Sequence, residues 1–143
     1  MHVDVLGTSF EIDASVVAES PAEIHTQVRE YESGDRRTFD LTVEFPDGLT
    51  GDVMAAMTEI PYGETRTYGD LAADLDTAAV AVGQACGRNP VPVVVPCHRV
   101  VGSDGALRGY SAADGVATKR RLLDLEARVA GTGPVQTRLP TER

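Results

Sequence analysis

Residues 67–87 read TYGDLAADLDTAAVAVGQACG, and residues 88–102 read RNPVPVVVPCHRVVG. Thr67 with Asp70 three positions on is a capping box, in which a hydroxyl and a carboxylate satisfy the free N–H groups at a helix start. The spacing predicts a helix from Tyr68 to about Leu75. Asp76 and Thr77 interrupt it, and a second helix is expected over about Ala78–Ala85, ending near Gly87. Two short helices across a tight turn make a helix-turn-helix pattern, which also occurs as plain packing in proteins that bind no DNA. The second helix carries Ala78, Ala79, Ala81, Gly83 and Ala85. Such small residues let a backbone come close to what it faces, either another helix or a groove of nucleic acid. Pro90, Pro92 and Pro96 then bracket an apolar run, so residues 88–102 are expected as rigid extended chain.

Outward from this stretch the elements are simpler. Residues 2–6 and 9–13 alternate loosely around Gly7-Thr8-Ser9 and read as a hairpin. Pro21 opens a helix through Glu32, and Gly34 ends it. Thr38–Phe45 alternates as a strand, with Phe39, Leu41, Val43 and Phe45 on one face. Pro46-Asp47-Gly48 is a turn and a module boundary. Val53–Glu59 reads as a short helix broken by Pro61-Tyr62-Gly63, Gly102–Gly109 as a loop, and Val116–Ala130 as the last helix. The fold class is α+β. A small N-terminal sheet-and-helix unit (1–48) packs on a mostly helical C-terminal domain (49–130) containing the helix-turn-helix, and a loose tail (131–143) follows.

A chain of 143 residues with 42% hydrophobic content can build one real core. No apolar run is long enough to span a membrane, and the N-terminus lacks the pattern of a secretion signal. Cys86 and Cys97 are the only cysteines, which is no disulfide framework and points to a reducing cytoplasm. The net charge of −9 is unevenly spread. Residues 1–50 hold three arginines against eleven acids. Between Asp76 and Asp124 the balance reverses, with Arg88, Arg99, Arg108, Lys119, Arg120 and Arg121 against Asp104 and Asp114. That is a basic face on an acidic body, and local field steers a polyanion more than net charge does. One lysine against twelve arginines fits either a salt-adapted acidic protein or a GC-rich genome.

Chemistry concentrates at Cys97-His98-Arg99. The thiolate is the nucleophile, and nearby cationic or hydrogen-bonding groups favour it. His98 can serve as its base. In extended chain the two side chains point apart, so a bridging water is the expected link. Glu126 follows Leu122 and Leu123 on the apolar stripe of the last helix. There it either orients His98, pairs with an arginine or reaches solvent at the stripe edge. Metal binding is not expected, because His2, His25 and His98 share no ligand spacing and there is no Cys-x-x-Cys. Cys86 reads as a buried helix cysteine, and His2 and His25 as surface residues.

Pro96-Cys97-His98-Arg99-Val100 resembles the active-site signature of the O6-alkylguanine-DNA alkyltransferases, also called methylated-DNA-protein-cysteine methyltransferases. The likeness covers about residues 50–130. Thr67-Tyr68-Gly69-Asp70-Leu71-Ala72, Ala81-Val82-Gly83-Gln84-Ala85, Arg88-Asn89-Pro90-Val91-Pro92 and Gly109-Tyr110-Ser111 match in the same order. The resemblance implies direct, irreversible transfer of the alkyl group from O6 of guanine to Cys97, once per molecule and without a cofactor. It implies that His98 deprotonates Cys97 through water, that Glu126 orients His98, and that Tyr68 donates to the departing guanine. Ser111 and the backbone of Tyr110 would contact O6, and the carbonyls of Cys97 and Val100 the exocyclic amine. Asn89 would brace the turn before the active-site strand. Ala79, Val80, Ala81, Gly83, Arg88 and Arg99 would meet double-stranded DNA, in the minor groove and without sequence specificity, with the base flipped out. A monomer is expected.

The chain departs from the family pattern in named places. Val80 stands where most active members have an arginine that fills the gap left by the flipped base. Ala112-Ala113 replaces a glycine pair, and the stretch to the last helix is about one residue longer. The N-terminal module is short and lacks the zinc ligands of some relatives. Two rival readings remain: a protein that only binds alkylated DNA, and a hydrolase using Cys97, His98 and Glu126.

Overall fold

The first turn is tight because both of its central residues, Leu6 and Gly7, sit at positive φ (51° and 83°). That type I′ geometry matches the natural twist of a two-residue hairpin. It pairs β1 (His2–Val5) with β2 (Thr8–Glu11) in antiparallel register, Val3 opposite Phe10. Leu6 tolerates the conformation with its N–H bonded to Glu32 Oε2 at 2.7 Å. This computed structural model describes residues 1–103 and 115–131. Within them it is a mixed fold of five α-helices and two small two-stranded sheets.

Helix α1 (Pro21–Glu32) begins where expected. Ser20 accepts from the Glu23 N–H, and Pro21 sits at the first helical position, where its missing N–H costs nothing. Gly34, at φ 85°, ends it. The strand expected over Thr38–Phe45 does not form. Its only ladder contact is the antiparallel bridge Val17–Val43 among the described residues. Around that bridge the Ala18 N–H bonds to the Thr42 carbonyl at 2.9 Å and the Glu44 N–H to the Val16 carbonyl at 2.8 Å, and side chains meet further backbone groups. Gln27 exchanges hydrogen bonds with Asp40 N and O, and Glu19 accepts from Thr42 N. The alternation still has a physical basis, because Phe39, Leu41 and Val43 pack on the core.

Helix α2 (Leu49–Thr58) starts four residues earlier than the sequence pattern indicates. Gly48 at φ 89° turns the chain directly into it. Two residues, Arg66–Thr67, form β3, which runs parallel to β4 (Val100–Val101). Helix α3 (Tyr68–Asp74) follows at once, with both arms of the Thr67–Asp70 capping box made, at 2.9 and 3.1 Å. Helix α4 (Ala79–Gly87) packs on α2 and α3. Helix α5 (Gly115–Ala130) buries Thr118, Lys119, Leu122, Leu125 and Glu126 along one stripe. A single continuous core joins the hairpin, α1, α2, the Val91–Val95 segment and α5. The parallel pair β3–β4 is the element that matters most for chemistry, because it sets the start of α3 beside the residues that follow Cys97.

Two glycines in neighbouring helices behave oppositely. A Cβ on Gly51 would lie 1.7 Å from the Pro46 carbonyl oxygen, whereas one on Gly83 meets nothing within 4 Å. Gly51→Ala is therefore expected to lose about 1–3 kcal/mol through forced backbone displacement. Gly83→Ala is expected to gain about 0.5–1 kcal/mol from helix propensity. Urea denaturation of the two variants checks both signs.

Candidate active site

Residues 88–102 are not extended throughout, as their prolines had implied. Val93 and Val94 form a turn closed by the Val95 N–H to Val91 carbonyl bond at 2.9 Å. Val93 adopts φ 74°, a costly conformation for a β-branched residue. Asn89 holds the turn from inside. Its Nδ2 donates to the Val95 carbonyl and its Oδ1 accepts from Val91 N, both at 3.0 Å. After Pro96 the chain winds into one 3₁₀ turn, Cys97–Arg99, so the side chains of three consecutive residues are redirected.

That turn delivers His98 and Arg99 to one buried carboxylate. Glu126 is 1% exposed. His98 Nε2 lies 2.6 Å from its Oε2, Arg99 Nε donates to Oε1 at 2.8 Å, and Arg99 Nη2 donates to Oε2 at 3.0 Å. Tyr31, on α1, donates to Oε2 at 2.7 Å, and the Gly63 N–H reaches Oε1 at 3.4 Å. Burial alone would raise the Glu126 pKa, but the hydrogen bonds and charges of His98 and Arg99 outweigh it and hold it at about 2. Burial pushes the His98 pKa down, against the pull of Glu126. Arg99 carries a permanent charge that balances the carboxylate, so His98 stays neutral. Its Nε2 faces Glu126 and carries the proton. Its Nδ1 is buried and has no hydrogen-bond partner among the described residues. A neutral imidazole with a free, buried lone pair beside a cysteine can accept that cysteine's proton.

A second cluster lies near Cys97, which is 3% exposed. Lys119, the chain's one lysine, is 1% exposed. Its Nζ donates to the Tyr68 hydroxyl at 3.2 Å and lies 5.4 Å from the Tyr68 ring centroid. Burial lowers the Lys119 pKa, while the nearby Cys97 and Cys86 sulfurs oppose that. Cys86 is buried in α4, with its Sγ 3.6 Å from Met57 Sδ, and burial drives its pKa up to about 12. It is an inert packing residue, as its place in a helix had indicated.

Arg99 departs from expectation. It was assigned to the DNA face, but its guanidinium is consumed by Glu126 and the Ile60 carbonyl, at 2.7 Å. Ala79 and Val80 are exposed, Ala81 and Gly83 half-buried, and Arg88 exposed with a bond to Thr50. Tyr68, Gly69, Ala79, Val80, Gly83, Gly102 and Ser103 line one groove of about 540 Å³. Val100 is buried in β4. Tyr110, Ser111, Ala112-Ala113 and residues 132–143 lie outside the described residues. Among the described residues no group of three or more His, Cys, Asp or Glu could hold a metal ion, and no helix is long and apolar enough to cross a membrane. Tyr31 and Lys119 were not singled out from sequence. Lys119 carried a signal, since a lone lysine falls on the apolar stripe of α5. Tyr31 carried none beyond its place on the buried face of α1.

Residues 49–128 match the family model described as the DNA-binding domain of 6-O-methylguanine DNA methyltransferase. The chain belongs to this family. It is 44% identical over 108 residues to the methylated-DNA-protein-cysteine methyltransferase of Methanosarcina acetivorans, covering 73% of this chain and 67% of that protein. It is 43% identical over 107 residues to the inducible enzyme of Bacillus subtilis, covering 73% of this chain and 59% of that one. The chain thus spans about three fifths to two thirds of these relatives' length. Among solved structures, Mycobacterium tuberculosis OGT in complex with DNA superposes with a TM-score of 0.70 at 40% identity, covering 76% of this chain and 68% of that one.

In this methyltransferase-family site the carboxylate is the keystone. Glu126→Gln would leave the Arg99 charge buried and uncompensated, for an expected loss of about 3–5 kcal/mol measured by urea denaturation. The native Glu126 pKa lies below the ordinary 4.5, so its stabilising contribution is complete above 4.5 and fades as pH falls toward about 2. The wild-type advantage over Glu126→Gln is expected to shrink across that window, followed by circular dichroism.

Proposed function

We propose that this chain repairs DNA by taking the alkyl group of O6-alkylguanine onto Cys97 in a single irreversible transfer. The observation that carries this reading is a buried cysteine flanked by a proton acceptor, His98 backed by Glu126, and a proton donor, Tyr68 backed by Lys119. His98 takes the thiol proton through a bridging water. The sulfur attacks the alkyl carbon, the C–O6 bond breaks, and the electron pair leaves on guanine. Tyr68 donates to that developing anion, and the Lys119 ammonium makes the phenol a stronger donor. The same ammonium favours the Cys97 thiolate. The product is a thioether, which this site cannot reverse.

A sulfur this buried cannot reach a stacked base, so the guanine is extruded from the duplex. The α3–α4 pair, joined by residues 75–78, serves as a helix-turn-helix. Exposed Ala79 and Val80 approach the minor groove, where small side chains permit close contact. Val80 fills the gap left by the flipped base with an apolar wedge. Ser111 and the backbone of Tyr110 contact O6, and the carbonyls of Cys97 and Val100 accept from the exocyclic amine, by resemblance to the family. Residues 1–48 form the N-terminal unit and residues 49–130 the transferase domain. The protein acts as a monomer, and its two free thiols fit a reducing cytoplasm.

Intact mass spectrometry after incubation with an O6-methylguanine duplex, in low and in molar potassium chloride, tests the reading. One added methyl on wild type and none on Cys97→Ser is the expected result. No added methyl in either salt overturns it and leaves a protein that only binds the lesion.

Lys119→Met removes the charge behind Tyr68 but keeps the stem. Hydrogen bonds to a charged group contribute about 1.5–3 kcal/mol, so single-turnover transfer is expected to slow by roughly 10- to 100-fold. Quenched-flow assay of the methylated duplex gives that rate.

A further inference from the structure

Tyr31 belongs to α1, outside the residues 49–128 that match the family model. It nevertheless reaches the centre of the charge network. Its side chain is fully buried, its hydroxyl donates to Glu126 Oε2 at 2.7 Å, and the same hydroxyl lies 3.5 Å from His98 Nε2. The ring is held independently of that hydroxyl. It packs on Phe39 at 5.5 Å and edge-on to Tyr62 at 6.2 Å, centroid to centroid. The hydroxyl is therefore not needed to fill space, and among the described residues it meets Glu126 and His98.

We propose that Tyr31 is a positioning residue for His98, acting through Glu126. The reading rests on the transfer reaction proposed above. Glu126 Oε2 is the oxygen that faces His98, and it accepts from three donors: His98, Arg99 and Tyr31. Each donor withdraws charge from the oxygen. The Tyr31 hydroxyl thus limits how strongly the carboxylate draws a proton onto His98, and it fixes the direction of the lone pair that Nε2 meets. A base held neutral is free to accept the Cys97 proton, whereas an imidazole already protonated is not. The other charged or titratable groups facing the pair are Arg99 on the same turn, Lys119 on α5, and Tyr62, whose ring lies under Arg37 and Arg99. None of these donates to Oε2 from the hairpin-and-α1 half of the chain. The N-terminal unit, which holds no chemistry in sequence, would through this one hydroxyl help set the acid–base state of the site.

Tyr31→Phe keeps the ring and deletes only the hydroxyl, and Tyr31→Leu removes the ring. The test compares both with wild type in three measurements: thermal midpoint, single-turnover methyl transfer against pH, and the His98 imidazole titration followed by NMR in a Cys97→Ser background. The expected result is a folded Tyr31→Phe protein with a midpoint lowered by only about 5–10 °C, transfer at neutral pH slowed roughly tenfold, and the His98 titration moved up by about one pH unit. A merely structural role leaves Tyr31→Phe like wild type in rate and titration, with Tyr31→Leu alone unstable, and that outcome overturns the proposal. Failure of wild type itself to accept a methyl would instead sink the underlying reaction, so the two failures are told apart.

Discussion

One buried carboxylate organises this protein. An ionised Glu126 in the interior is tolerable only if its charge is balanced and its lone pairs are occupied. The balance comes from Arg99, the occupation from Arg99, His98, Tyr31 and the Gly63 N–H. These groups come from three separate parts of the chain, α1, the turn after α2 and the turn after Pro96, and they converge on α5, which carries Glu126. Satisfying one side chain therefore fixes four elements against each other. It also explains the local winding at Cys97–Arg99. Extended chain would send His98 and Arg99 to opposite faces, and the 3₁₀ turn is what lets both reach the same carboxylate.

Two groups with opposite proton demands lie in the neighbourhood of Cys97 under the proposed reaction. In one a neutral imidazole presents a free Nδ1, because its other nitrogen is committed to Glu126. In the other a buried ammonium bonds to a phenol. The first accepts a proton and the second supports one being given. The parallel pair β3–β4 connects them, since β3 leads straight into Tyr68 and β4 follows straight on from the active-site turn. The transfer proposed above calls on both groups.

Much of this was legible in the sequence, for identifiable reasons. The capping box at Thr67–Asp70, the Pro21 start and the Gly34 stop are local signals whose physics is complete within four residues, and each is made as read. Glu126 was legible as an inward residue from helical periodicity, but its partners were not. Periodicity alone leaves pairing with His98, pairing with an arginine and a reach to solvent open, and the buried carboxylate makes both pairings at once. The strand expected over Thr38–Phe45 failed because alternation reports which side chains turn inward, not whether a partner strand exists. Gln27 and Glu19 occupy backbone groups of Asp40 and Thr42, and only a short bridge to residues 16–18 forms. Tyr31 was invisible because nothing local marks an aromatic on a buried helix face as polar in function.

The burial of Arg99 also changes the electrostatic picture. The basic stretch between Asp76 and Asp124 looked like a face for a polyanion. Of its six basic residues, Arg99 and Lys119 are buried and serve the site, and Arg121 bonds to Thr8. Arg88 and Arg120 are exposed, and Arg108 lies outside the described residues. Among the described residues of this stretch, then, fewer cations are at the surface than its sequence suggests, and in general each phosphate contact a protein makes adds only about 0.9 to the slope of log affinity against log salt. The features that remain at the groove are an exposed Val80, and alanines and a glycine with no bulk to hold a backbone away. Exposed Val80 and its small neighbours thus give this groove a surface distinguished by shape more than by charge.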